Sequence, residues 1–236
     1  SSAASDVYKR QVYQFTRQAV IKLFEMGCHL VILGCNTASA KALRSIQHRD
    51  IPELDPDRRV LGVIRPTAEV IGELTRNNHV GLFATEGTVR SCSYNLEIGK
   101  LWPDIKVTGV ACPFWVPLVE YNEADSPGAD YFVKKRVDEL MRKDPEIDTI
   151  ILGCTHYPLL MPKILKYVPP GVRIIPQGEY VADSLKAYFE RHPAMERMCT
   201  RGGTCEYFTT ENPDRFKDSA RMFLHEDVHV SHIDFE

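Results

Sequence analysis

The chain is predicted to be an α/β protein of two similar open, mostly parallel α/β lobes facing each other across a cleft. Three observations predict it. Short β-branched runs closed by turn residues alternate with helical stretches, which is the pattern of parallel βαβ units. One strand-and-turn motif occurs twice, as Val31-Ile32-Leu33-Gly34-Cys35-Asn36-Thr37 and as Ile150-Ile151-Leu152-Gly153-Cys154-Thr155-His156, about half the chain apart. The length of 236 residues, 44% of them apolar, allows two small lobes with real cores.

The elements follow in order. Val12, Phe15, Ala19, Leu23 and Met26 mark one face of an opening helix that Gly27 ends. The serine-rich residues 1–10 before it, which start without methionine, read as non-native. Strands are expected at 29–34, 60–64, 80–83, 107–111, 149–153 and 173–175. Helices are expected at 38–48, 67–76, 87–97, 115–122, 128–143, 159–167 and 179–191. A final βαβ unit takes 206–209, 213–223 and 228–233. That unit needs a sheet to join, so residues 1–64 plus 185–236 are expected to form the first lobe and 65–184 the second. In such sheets ligands sit beyond the carboxyl ends of the strands.

Composition removes several functions. A net charge of −3 with Lys+Arg 29 against Asp+Glu 32, and no basic cluster, argues against a nucleic-acid surface. The apolar run around Leu30 to Leu33 is far too short to span a bilayer, and no leader opens the chain, so no membrane partner and a cytoplasmic location are expected. Seven cysteines, at 28, 35, 92, 112, 154, 199 and 205, are an odd number without a CxxC pair. They read as free thiols with no metal site. Nothing resembles GxGxxG or a P-loop, so no cofactor is expected. Cys28, Cys92 and Cys112 read as small packing residues.

Cys35 and Cys154 stand out because each follows a strand and precedes a helical stretch. There, unpaired backbone N–H groups and the helix dipole favour the thiolate, so both thiols are expected to have lowered pKa values and to serve as bases. Asn36, Thr37, Thr155 and His156 add hydroxyl, amide and imidazole groups suited to a small carboxylate. A single copy of this motif reads equally well as a capping turn. Two matched copies point to a site.

The words GCNTAS at 34–39, ACPFWVPLVE at 111–120 and GCTHYPLL at 153–160 resemble the glutamate racemase family of the aspartate/glutamate racemase superfamily. Gly87-Thr88-Val89-Arg90-Ser91, Tyr94 and Phe208-Thr209-Thr210 occur in the family's order, so the resemblance spans about residues 12–233. It implies a cofactor-independent isomerase that interconverts L- and D-glutamate and supplies D-glutamate for peptidoglycan. Cys35 and Cys154 would exchange the roles of base and acid. Asn36, Thr37, Thr155, His156 and, less directly, Thr88 would bind the substrate's carboxylates and ammonium, and Glu120 would tune His156 beside the second cysteine. The partners implied are glutamate and a second copy of the chain in a homodimer. Aspartate or another small acid as substrate, and an inactive binding protein, are the rival readings. The family's opening Asp-Ser-Gly and Tyr-Gly segments do not occur before Cys35, which reads as an N-terminal truncation. Arg65 stands where many relatives carry an acidic residue, and the resemblance gives it no role.

Overall fold

The computed structural model describes residues 2–235, with side chains from residue 6 onward, so Ser1 of the stretch expected to be non-native lies outside the described residues. Helix α1 runs Ser2–Glu25 and begins well before the expected start. Its buried stripe is also rotated by about one residue. Val20 and Phe24 are buried while Phe15 and Met26 are exposed. The reason lies in two polar tips on the buried side: the Tyr13 hydroxyl donates to Asp50 at 2.7 Å and Arg17 Nε bonds the same carboxylate at 3.0 Å. A reading of apolar periodicity leaves such residues out of the core face. Gly27, at φ +93°, closes the helix with Cys28 N–H on the Leu23 carbonyl and Gly27 N–H on that of Phe24, both 3.0 Å, a Schellman end that favours glycine.

Strands β1 (Leu30–Leu33) and β2 (Arg59–Gly62) pair in parallel, Leu30 opposite Arg59 and Leu33 opposite Gly62. A Cβ at Gly62 would come within 2.6 Å of Leu43 Cδ2, so the strand end admits only glycine without repacking. Between these strands the expected single helix at 38–48 comes as four pieces: α2 (Asn36–Lys41), α3 (Leu43–Ser45), a π turn (Ile46–Asp50) and α4 (Ile51–Leu54). The π turn directs Ile46 into the core and Asp50 onto Tyr13 and Arg17. Helix α5 (Ile64–Leu74) takes over Ile64, which was expected in a strand. Pro66 is tolerated in a first helical turn and not inside a strand, so the helix starts ahead of it.

The larger sheet has four parallel strands in the order β4-β3-β5-β6: β3 His79–Ala84, β4 Lys106–Ala111, β5 Thr149–Gly153 and β6 Arg173–Ile175. All five β5 residues are buried, as helices on both faces require. Phe83, Ile150 and Leu152 face one cluster, with α8 (Trp115–Glu120), α9 (Pro127–Lys143) and α10 (Met161–Tyr167). Val80, Leu82 and Ile151 face the other, with α5, α6 (Glu86–Ser91) and α7 (Ser93–Leu101). The alternation is the period-two pleat. Trp115 anchors the first cluster, its ring 4.9 Å from those of both Phe83 and Tyr157. Such tilted and edge contacts add about 1 kcal/mol each beyond area burial. Cys92, at φ +53°, breaks the expected helix at 87–97 into α6 and α7.

Helix α11 (Gly178–Arg191) and α12 (Pro193–Met198) lead to β7 (Tyr207–Thr209), α13 (Pro213–Leu224) and β8 (Val230–His232). β7 and β8 pair in parallel with each other and form a sheet of their own, apart from both β1-β2 and the four strands. Phe223 of α13 packs at the margin of the larger lobe's core. The expected final βαβ unit is present, but it joins no larger sheet. Among the described residues, no helix is long and apolar enough to cross a membrane.

Candidate active site

Cys35 caps α2 with extended backbone, φ −103° and ψ 123°, just past the carboxyl end of β1. Its side chain is exposed. The next residue turns inward: Asn36 is 3% exposed, receives the Tyr94 hydroxyl proton on Oδ1 at 2.7 Å and donates from Nδ2 to Gln177 Oε1 at 2.7 Å. The expectation of a substrate contact is therefore narrowed, because the amide side chain is held by protein groups and leaves almost no surface for a ligand. Thr37 Oγ1 lies 2.8 Å from Thr85 Oγ1 and 3.3 Å from Thr88 Oγ1, and Thr85 caps α6 by accepting from Thr88 N–H. These three hydroxyls join the start of α2 to the start of α6.

Cys154 follows the fully buried β5 and is 8% exposed. Its Sγ lies 3.8 Å from His156 Nδ1, and His156 Nε2 lies 2.5 Å from Glu120 Oε1, the last residue of α8. Spacing put Cys154 beside His156 and the family resemblance put Glu120 near them, and the structure brings the three together. Thr155 is exposed between them.

The electrostatics of Cys154 correct one expectation. Burial pushes its pKa up to about 11, the His156 backbone N–H pulls the other way, and the charge of Cys35 pushes it further up. The expected lowering fails here because only a short 3₁₀ turn, Tyr157–Leu160, follows the cysteine, and desolvation outweighs one backbone donor.

A cavity of about 710 Å³ is lined by Ser39, Leu43, Leu61, Arg65, Leu185 and Tyr188 among others, and neither cysteine lines it. Arg65 pairs on the surface with Glu69 at 3.0 Å and Glu97 at 3.6 Å, a structural place for the residue the sequence left without a role. Cys112 is buried, and Cys92 is exposed at a helix break. Sequence reasoning missed Thr85, Thr67 and Gln177. Gln177 carried a usable signal, since a polar residue between a strand ending Ile174-Ile175 and a helix lies where α/β sheets gather function. Among the described residues, no three His, Cys, Asp or Glu side chains gather as for a metal.

A parallel α/β scaffold that sets a cysteine past each of two strand ends, one of them beside an imidazole held by a carboxylate, offers groups able to give and take protons. The Asp/Glu/Hydantoin racemase family model matches residues 18–185, and the chain belongs to that family of amino-acid racemases. Among its relatives, glutamate racemase of a Ruegeria species is 40% identical over 227 residues, covering 92% of this chain and 81% of the relative. That of Lactiplantibacillus plantarum is 36% identical, covering 95% and 80%. A solved glutamate racemase isoform of Bacillus anthracis superposes with a TM-score of 0.85 at 29% identity, covering 96% of this chain and 81% of that one. The Francisella tularensis enzyme, solved in complex with D-glutamate, superposes with a TM-score of 0.82 at 25% identity, covering 97% and 82%.

Proposed function

We propose that this protein interconverts L- and D-glutamate by two-base proton transfer at the α-carbon, with Cys35 and Cys154 as the two bases, and that it supplies D-glutamate for peptidoglycan. The observation that carries the reading is geometric: Cys35 and Cys154 each stand at the carboxyl end of a parallel strand, and Cys154 lies 3.8 Å from His156, which Glu120 holds. The glutamate racemases among its relatives support the substrate.

Inversion needs a base on one face of the α-carbon and an acid on the other. The thiolate on one face takes the α-proton, and the electron pair stays on the carbon and its carboxylate. The opposite thiol then donates its proton to the other face. The product leaves with the first cysteine protonated and the second as thiolate, and solvent exchange or the reverse reaction resets the pair. With a pKa of about 11, Cys154 rests as the thiol and is poised to protonate. To act as base it must give up that proton, and His156, held by Glu120, is the group placed to take it. Thr37 and Thr155 offer hydroxyls to the substrate's carboxylates and Asn36 offers its backbone N–H at the start of α2, whereas Thr88, 1% exposed and bonded to Thr37 and Thr85, supports Thr37 rather than reaching substrate. The enantiomers are equal in energy in water, so kcat/KM must be the same in both directions, and the unequal thiols show only in kcat and KM taken separately.

We also read residues 65–184 as one lobe and 1–64 with 185–236 as the other; β7 and β8 pair only with each other, so strand pairing assigns them to neither lobe.

Polarimetry on L- and on D-glutamate tests the activity, with D₂O as solvent to test the mechanism. Both enantiomers should lose optical rotation, and deuterium should enter the product enantiomer ahead of recovered substrate. Turnover of aspartate but not glutamate would remove the substrate. Early deuterium in both enantiomers would replace two bases by one.

A further inference from the structure

Behind Cys35 lies a closed ring of hydrogen bonds that the chemistry above does not use. Asn36 Nδ2 donates to Gln177 Oε1 at 2.7 Å, Gln177 Nε2 donates to the Tyr94 hydroxyl at 2.6 Å, and that hydroxyl donates to Asn36 Oδ1 at 2.7 Å. Each member both gives and receives, so the three bonds run in one direction around the ring and reinforce one another. Gln177 Nε2 further reaches Thr67 Oγ1 at 2.9 Å and the Val63 carbonyl at 3.1 Å. The three side chains are 3%, 7% and 1% exposed, and burial holds the Tyr94 hydroxyl well above its ordinary pKa, so the ring stays neutral across the working range.

The ring's place gives it meaning. Asn36 is the first residue of α2 and is bonded covalently to Cys35. Tyr94 is on α7, Thr67 on α5, and Gln177 sits between the end of β6 and the start of α11, all elements packed on the four-stranded sheet that also carries Cys154. Cys35 itself is exposed and stands on a sheet of two strands, so its place depends on the residues that follow it, Asn36 in the ring and Thr37 on Thr85. We propose that Gln177 and Tyr94 are positioning residues: through Asn36 they tie the Cys35 turn to the sheet that carries Cys154 and set the separation of the two thiols. The inference rests on the two-cysteine reading. Its physical basis is that proton transfer falls steeply with misplacement of the base by an ångström or less, whereas a buried ring with every polar atom paired has one low-energy geometry.

The test uses Tyr94→Phe, which removes one oxygen and leaves the packing intact, and Gln177→Met, which keeps the length and removes both polar atoms. Two measurements are made on each. The first is deuterium exchange into recovered substrate relative to racemisation, for each enantiomer. A displaced Cys35 leaves Cys154 able to remove and return a proton on its own face. The exchange-to-racemisation ratio should therefore rise about tenfold for the enantiomer that Cys154 deprotonates and stay unchanged for the other, with kcat falling ~10–100-fold and KM little altered. The second is the alkylation rate of Cys35 with iodoacetamide, which needs no turnover and should change threefold or more while that of Cys154 does not. Unchanged ratios and an unchanged Cys35 rate in Tyr94→Phe would overturn the proposal, and so would an equal rise for both enantiomers, which general loosening would give. If the unsubstituted protein fails to racemise glutamate, the functional reading falls while the Cys35 rates still decide the ring. If Gln177→Met does not fold, Tyr94→Phe carries the test alone.

Discussion

The Cys35 wall and the Cys154 wall begin from nearly the same five-residue word and end in different environments. Cys154 terminates an inner strand of the four-stranded sheet, is almost wholly buried, and is followed by an imidazole bonded to a carboxylate. Cys35 terminates a strand with one partner, is exposed, and is followed by an amide turned away into a buried ring. The motif thus does not by itself give a thiol a lowered pKa, as the raised pKa of Cys154 shows. What the motif secures is backbone direction, and the surrounding packing sets the proton affinity.

The comparison can be broken most forcefully by removing each thiol in turn. Cys35→Ser and Cys154→Ser should each lose racemisation by about a thousandfold or more, because inversion needs a proton-transfer group on both faces however unlike the two groups are. Near-normal turnover by either variant would take that cysteine out of the mechanism. A smaller and purely chemical contrast is expected in alkylation followed by peptide mapping. With a pKa of about 11, Cys154 should react about 300-fold more slowly near neutral pH than an ordinary thiol of pKa about 8.5, from the thiolate fraction alone. Cys35 should be labelled first. Equal labelling of the two would erase the asymmetry.

The smallest effect concerns what anchors the other end of β5. Asp148, just ahead of that strand, is desolvated, which raises its pKa. Bonds from Thr75, the Arg76 amide, Thr149 and the Asn77 amide outweigh burial and hold it below the ordinary value. A depressed folded pKa gives stability that is complete above the unfolded value of about 3.9 and is lost as pH falls through the folded one. Asp148→Asn should therefore lower stability by about 1–3 kcal/mol at neutral pH and flatten the acid limb of a denaturation profile below about pH 4. An acid limb as steep as in the unsubstituted protein would assign the loss to other carboxylates.

Much of the architecture was legible because it rests on local period and turn chemistry. Strands β5 and β6 were read to the residue, since buried β-branched runs bounded by glycine and proline have few other readings. The opening helix was found with its buried face turned by about one residue, Leu23 packing on the core but Phe15 and Met26 exposed, because Tyr13 and Arg17 approach Asp50 by their polar tips. The break at Cys92 and the π turn at Ile46–Asp50 carry no signal in a pattern of apolar spacing. In the site, Cys154 and His156 were legible because they are two residues apart, while Glu120, 36 residues from His156, was reached only through the family resemblance. Gln177 was not, because its partners Asn36, Tyr94, Thr67 and Val63 come from distant parts of the chain.

The sequence by itself determined the α/β class, the strand-end placement of two cysteines and the resemblance that family membership bears out. These depend on residue type and short-range spacing. Only the tertiary structure decided that the two cysteines differ in burial, that Cys154's proton affinity is raised, that Asn36 turns inward, and that the final strands pair with each other. Desolvation, long-range hydrogen bonds and strand partnership are properties of residues brought together from far along the chain.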